Sequence, residues 1–344
     1  MRKNSVSLSI ISKYRGALFG ISIVSIALFH FCNDVIKWRH HDAVYRIAEI
    51  YYNLFGSIGV EVFLFLSGVG LYYSMSRQPE LSSFYKKRLK RVLIPYLILG
   101  VMYWFVRDIL ITKEGIAQYF YDLSLMSFWC EGKRSFWFIA FVIAVYAAFP
   151  LLFKAMNLTV RGRQQAGVIC MLLCAAWIAL CSCLSAAAPV FYQNTEVALS
   201  RVPIFIIGTW YGKRMKNGES FGKADALLAG AGWLLIAAHM ISRYGLSGTD
   251  FRIHNRFLAC FFSVSLIFFL CGMLEWIHSE KTEKTLALIG SYSLELYITH
   301  VSIRGLLMFI GIRTHRFAIA AVYLLLAVAF SYALHMIDRK IQSS

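Results

Sequence analysis

Charge is scarce in this chain. Charged residues make up 15% of its 344 positions, with 18 acidic side chains against 35 basic ones. A soluble domain carries about a quarter charged residues, so a water-soluble globule is excluded. Low-complexity segments and internal repeats are also missing, which argues against a linker-rich or solenoid design. The eight cysteines form no second pair at metal-ligand spacing beside Cys170/Cys174 and Cys181/Cys183, and seven of them fall in apolar runs. They read as small buried hydrophobes rather than zinc ligands or a disulfide framework, and no metal site is expected. No Gly-x-Ser-x-Gly elbow occurs, which excludes a serine nucleophile of the hydrolase type. The basic N-terminus (Arg2, Lys3, Lys13, Arg15) precedes an apolar run too long for a signal-peptide core, so that run reads as a retained first span.

Apolar segments are abundant instead: hydrophobic residues reach 59%, with a mean hydropathy of +0.61. Segments of bilayer length recur at roughly 16–36, 54–74, 92–112, 136–154, 165–188, 198–212, 224–242, 257–277, 286–310 and 317–337. The sequence predicts an all-α, polytopic transmembrane bundle of about ten spans, in one integral-membrane domain over residues 1–344 with no fused soluble domain. The formal charge of +17 fits orientation in a membrane better than nucleic acid, since no basic stretch is interleaved with stacking aromatics. With a cytoplasmic N-terminus, 21 of the 35 basic residues fall on inner segments. The densest group is Tyr85-Lys-Lys-Arg-Leu-Lys-Arg91. Both termini are therefore expected in the cytoplasm. His40, His41, Lys133, Arg134, Arg243, Arg252, His254, Arg256, Arg313 and His315 remain for the outer side.

Ionisable residues inside spans are costly unless they face a partner or a cavity. His30, Glu61, Glu295, His300 and Arg304 are such residues. His30, Glu61 and Arg304 each lie six or seven residues from the outer end of their spans, or ~10 Å below the surface at 1.5 Å per residue. His300 is about one turn deeper. Ser293, Tyr297, His300 and Arg304 follow i, i+4, i+7 and i+11, one face of a helix that must point into the bundle. The same residues could serve only as a packing network of hydrogen bonds. For His30 and Glu61 the matched depth favours a working pair, because a carboxylate beside an imidazole raises its basicity.

Several short motifs occur in one order along nearly the whole chain. They are Arg15-Gly-Ala-Leu-Phe-Gly20 with Leu28-Phe29-His30, Gly59-Val-Glu61-Val-Phe-Leu-Phe-Leu-Ser67-Gly68, and Phe84-Tyr-Lys-Lys-Arg88-Leu-Lys-Arg91-Val-Leu-Ile-Pro95-Tyr96. Trp137-Phe138, Arg201-Val-Pro203-Ile-Phe205-Ile-Ile-Gly208 and Ser293-Leu-Glu295-Leu-Tyr297-Ile-Thr-His300 follow. Together they resemble acyltransferase family 3, a group of membrane enzymes. The resemblance implies a ten-helix O-acyltransferase, commonly an O-acetyltransferase, that modifies a cell-surface or exported glycan or a lipid-linked sugar with an acyl group from cytoplasmic acyl-CoA. Acetyl-CoA would be a substrate, with no permanently bound cofactor. The localisation it implies is the bacterial plasma membrane, in contact with membrane lipid, and no nucleic-acid partner is expected.

By the same resemblance His30 is the essential histidine, Arg15 the upstream basic residue, and Arg88 and Arg91 an Arg-x-x-Arg pair for acyl-CoA. Glu61 would orient His30 as general base. Tyr297, His300, Arg304, Glu295, Arg201 and Trp137 are candidates for support, acceptor binding or the oxyanion. An acyl-histidine intermediate is the alternative chemistry. Two departures stand out: fourteen residues separate Arg15 from His30 where the family commonly has ten, and position 61 is Glu where many members have Asp. Four extra residues are about one turn, so Arg15 and His30 still project within ~60° of each other. From Arg15 to His30 is ~22 Å of helix, comparable to an extended pantetheine arm with its acyl end. A transporter or flippase for a lipid-linked or small anionic substrate is the second class, since buried His, Glu and Arg also mark substrate paths. A scaffold or sensor is a third. Outer loops 37–53, 113–135 and 243–256 are expected to shape acceptor choice.

Overall fold

The computed structural model describes residues 7–39, 42–56, 58–160, 163–245 and 252–343. Arg2, Lys3, His40, His41, Arg161 and the 246–251 part of the expected loop 243–256 lie outside them. The chain is helical almost throughout. In order the helices are α1 (Ile10–Lys13), α2 (Arg15–Trp38), α3 (Ala43–Phe55), α4 (Ile58–Arg77) and α5 (Leu81–Trp104), the last continuing into a π-helical turn, Phe105–Ile111. Then come α6 (Ile116–Leu123), α7 (Met126–Glu131), α8 (Trp137–Met156), α9 (Ala166–Ala187), α10 (Pro189–Leu199) and α11 (Val202–Lys216). The series ends with α12 (Lys223–Gly245), α13 (Arg252–Ile277), α14 (Glu280–Ser291), α15 (Ser293–Phe309) and α16 (Phe317–Ser343). Two-residue strands, Thr159–Val160 and Arg163–Gln164, pair between α8 and α9.

Every expected span falls on one of these helices, but among the described residues only seven stretches are long and apolar enough to cross a bilayer. An eighth is obtained if α14 and α15, bent by 63° at their junction, count as one span. The other two expected spans coincide with α11 and α12. At fifteen residues, α11 rises ~22 Å, short of a hydrocarbon core of ~30 Å. Two expected outer loops are also helical. Segment 37–53 contains most of α3, whose N-cap Asp42 accepts from the Tyr45 amide at 2.8 Å and whose Ala48 packs on Cys32 and Val35 of α2. Segment 113–135 contains α6 and α7. Their apolar residues recur every three to four positions, a pattern that lets a short helix lie against the bundle without crossing it.

The centre of the bundle is α4, apolar on all sides and the most buried span. Glycine brings α11 onto it: a Cβ at Gly208 would sit 2.2 Å from the Phe65 carbonyl oxygen, and one at Gly68 would sit 2.6 Å from that of Phe205. Pro203 in the first turn of α11 costs no hydrogen bond there. On the other flank α14 packs on α2 equally closely, with a Cβ at Gly20 only 2.0 Å from the Leu286 carbonyl oxygen. Such backbone approach substitutes for the hydrophobic effect, which lipid does not supply between helices. It holds α2, α4, α11 and the α14–α15 pair in one cluster, and these helices carry the polar residues that the spans enclose.

Candidate active site

At one end of the cluster, Arg15 opens α2, and Arg88 and Arg91 occupy one face of α5. The three line a small cavity of about 80 Å³ together with Phe63, Tyr146 and Ser293. Arg15 and Arg88 also line an adjoining cavity of about 440 Å³, together with Arg77 and Lys87. Gly70 makes room for this group, since a Cβ there would lie 2.7 Å from the Arg15 guanidinium. The Nε atoms of Arg15 and Arg88 are buried without a hydrogen-bond partner. Among the described residues no carboxylate forms an ion pair with Arg15, Arg88 or Arg91. Uncompensated cations in a partly dry pocket are unfavourable unless an anion completes them.

At the opposite end a larger cavity, about 720 Å³, opens between α2, α8, α15 and the junction of α10 with α11. Its wall includes His30, Lys37, Trp137, Arg201, Tyr297 and Arg304. One polar face of α15 serves both cavities, as its spacing predicts: Ser293 lines the basic pocket, Tyr297 and Arg304 line the large cavity, and His300 lies fully buried between them.

Lateral partners differ from those that depth alone suggested. Glu61 is fully buried and its carboxylate is ion-paired with Arg201, 3.0 Å from Nε. Arg201 in turn donates to the Val197 carbonyl at 2.6 Å and covers the Trp137 ring at 5.1 Å. The ring facing His30 is that of His300, with centroids 5.4 Å apart. His300 Nδ1 donates to the Leu296 carbonyl at 2.8 Å, which makes Nε2 the lone-pair nitrogen of the neutral ring; that atom is buried and unpartnered. Arg304 binds Asp34 through both ends of its fork, with Nε at 2.7 Å from Oδ2, and Thr314 donates to the same oxygen at 2.7 Å.

The structure thus brings His30, Tyr297, Arg304, Arg201 and Trp137 to one cavity, His300 directly behind it, Glu61 onto Arg201, and Arg15 with Arg88 and Arg91 to a separate pocket. Glu295 goes elsewhere. It accepts from His335 Nδ1 at 2.7 Å and ties α15 to α16. Asp34, the anchor of Arg304, escaped the sequence reading although it is an acid one turn beyond His30. Tyr146 escaped too, because one tyrosine in an apolar span gives no signal of its neighbours.

A charged network surrounds α6 and α7, just ahead in sequence of Arg134 and Ser135 on the cavity wall. Asp108, Glu114 and Asp122 hold carboxylate oxygens within 4.8 Å of one another, with Arg107 and Lys133 among them. Lys133 reaches Asp122 at 2.9 Å, and Gln118 donates to the same oxygen at 3.1 Å. Burial pushes the Asp122 carboxyl up, but hydrogen bonds from Ser127, Lys133 and Gln118 more than reverse this and hold it below its usual range. Burial likewise opposes the charge on Lys133, and its bond to Asp122 outweighs that, leaving it above its ordinary value. This network fixes Lys133 and so places the next two residues, Arg134 and Ser135, on the cavity wall.

A family model described as an acyltransferase domain, that of acyltransferase family 3, matches residues 19–336. Neither the curated proteins nor the solved structures contain a match to the chain. Apolar helices of bilayer length together with the family match make this an integral membrane protein. The match runs through both cavities, from Phe19 beside the basic pocket to the last turns of α16, and the chain belongs to acyltransferase family 3.

Proposed function

We propose that this protein is a membrane O-acyltransferase that moves an acyl group, acetyl in the simplest case, from acyl-CoA to a glycan hydroxyl. The observation that carries this reading is the trio Arg15, Arg88 and Arg91, unneutralised by any described carboxylate and in line with a histidine-walled cavity at the other end of the same helices. Guanidinium forks suit the phosphates of a CoA nucleotide. The basic pocket then faces the cytoplasm, and the pantetheine arm runs between the helices toward His30. The acceptor enters the large cavity from the opposite side, where Trp137 and Tyr297 offer flat faces to a sugar. The membrane is the bacterial plasma membrane.

In this mechanism His30 accepts the proton of the acceptor hydroxyl as its oxygen attacks the thioester carbon. Charge gathers on the carbonyl oxygen, where Arg201 and the Tyr297 hydroxyl can stabilise it. Collapse of the tetrahedral adduct expels CoA thiolate, and the proton held by His30 returns to sulfur. Glu61 acts through Arg201, holding the guanidinium in place, while His300 backs the ring of His30. Arg201, held by Glu61 and the Val197 carbonyl, has the fixed placement that a preorganised site requires.

Sealed, oriented vesicles carrying labelled acetyl-CoA test this reading. Label is expected on the acceptor only when donor and acceptor lie on opposite faces, with the donor on the Arg15 side. Equal transfer with both substrates confined to one compartment, or no binding of acyl-CoA at all, would overturn it.

A further inference from the structure

Between the two cavities stands a file of aromatic rings, and this file has a consequence for the donor. Arg15 lies over the ring of Phe19 at 5.2 Å, and Phe19 meets Phe63 at 5.1 Å. Phe63 meets Phe138 edge-on at 6.2 Å, and Phe138 meets Tyr297 edge-on at 5.2 Å. Beyond Tyr297 the rings of His300 and His30 follow at 5.9 and 5.4 Å. Phe63 and Phe138 form the inner end of the basic pocket, whereas Tyr297 belongs to the wall of the large cavity. The contact between Phe138 and Tyr297 is therefore the partition between the two spaces. With Phe63 behind Phe138, its rings come from three helices, α4, α8 and α15, and all three are buried.

We infer that Phe63 and Phe138 gauge the length of the acyl group, closing the path so that only a short acyl thioester seats between the basic pocket and His30. This inference rests on the acyl-CoA reading above. A donor held by Arg15, Arg88 and Arg91 must place its thioester carbon beside His30, so its acyl end must pass or lie against this partition. The pocket that Phe63 and Phe138 close has only about 80 Å³ free at this inner end. Packed interiors yield little to an extra methylene. Edge-to-face rings fixed on three separate helices cannot all retreat in one direction. Removing a ring leaves a dry apolar void, which a longer acyl chain can fill.

The test is a chain-length series: kcat/KM for acetyl-, propionyl-, butyryl- and hexanoyl-CoA, measured for the wild type, Phe138→Ala, Phe63→Ala and Phe138→Leu. Phe149→Ala serves as the control, since Phe149 is buried against Phe84 and Phe153, away from the file. The wild type is expected to favour the shortest donors. Phe138→Ala and Phe63→Ala should raise the butyryl-to-acetyl ratio by about tenfold or more, in the range one or two methylenes command in a fitted pocket. Phe138→Leu, which keeps most of the volume and preserves folding if the alanine variants do not, should raise it severalfold, and Phe149→Ala should leave it unchanged. An unaltered ratio in active Phe138→Leu protein overturns the inference, as does a wild type that prefers hexanoyl-CoA. If the wild type uses no acyl-CoA of any length, it is the acyltransferase reading itself that fails.

Discussion

His30 and His300 lie 270 positions apart in sequence and face each other across 5.4 Å, one on the cavity wall and the other sealed behind it. The outer ring can meet a substrate, while the inner ring has its tautomer set by a backbone carbonyl and one nitrogen left over. In the proposed mechanism, the base that meets the acceptor is thus backed by a ring that does not.

Replacing His30 with Ala should abolish transfer without loss of membrane insertion, because the change removes a polar group and uncovers no charge. Substitution of His300 by Ala should lower kcat by roughly a hundredfold, within the span ascribed to a positioned base. It should leave acyl-CoA binding intact and displace the pH optimum of kcat. Steady-state kinetics beside a direct acyl-CoA binding assay separate the two roles. A His300→Ala enzyme with unchanged kcat and pH profile would reduce His300 to packing.

Arg88→Gln with Arg91→Gln should weaken acyl-CoA binding by at least tenfold and make what remains less sensitive to salt, since charge–phosphate attraction is screened over ~10 Å at 0.1 M. Lys at both positions should restore only part of the affinity, lacking the fork. Binding titrations at two ionic strengths check this. Unchanged affinity with altered topology would assign the cluster to membrane orientation alone.

The Glu61–Arg201 pair predicts a stability effect of its own. Glu61→Gln leaves a buried guanidinium uncompensated, and losing one partner of such a pair costs about 3–5 kcal/mol. Glu61→Gln combined with Arg201→Gln should unfold at a higher temperature than Glu61→Gln alone. Thermal midpoints in detergent measure this. Additive losses would mean that the two residues act independently.

Asp122 sets a pH limit for the charged network around α6 and α7. Its folded pKa is depressed from 3.8, so its contribution to stability is complete above that value and is lost as pH falls through the lower folded one. Lys133, raised from 10.5, contributes fully below that value and loses its share as pH rises past it. Between those limits the pair's contribution should be flat. The gap in thermal midpoint between wild type and Asp122→Asn should therefore be constant near neutrality and shrink below about pH 4. A gap that persists into stronger acid would exclude this ion pair as its source.

Much of this was written in local pattern. Apolar runs placed a helix at every expected span, because helix length and rise are properties of the segment alone. The i, i+4, i+7, i+11 face of α15 was legible for the same reason, and so was the common layer of His30, Glu61 and Arg304. Depth along a helix is counted in residues. Short amphipathic helices such as α3 and α6 look like loops in sequence, because their apolar stripe is completed only by the α2 or α5 surface beneath it.

Sequence by itself determined which side chains are polar at which depth, and it carried the family resemblance. The fold alone decided which of them meet. Depth leaves the azimuth of each helix and its neighbour open, so it placed Glu61 level with His30 without revealing Arg201 or the ring of His300. Those partners follow from how closely backbones approach at Gly68 and Gly208, and at Gly20 and Gly290. The same packing gathers three arginines from α2 and α5 into one pocket and stacks Phe63, Phe138 and Tyr297 from three helices into one partition. Contacts between helices depend on two surfaces at once, and no single segment encodes both.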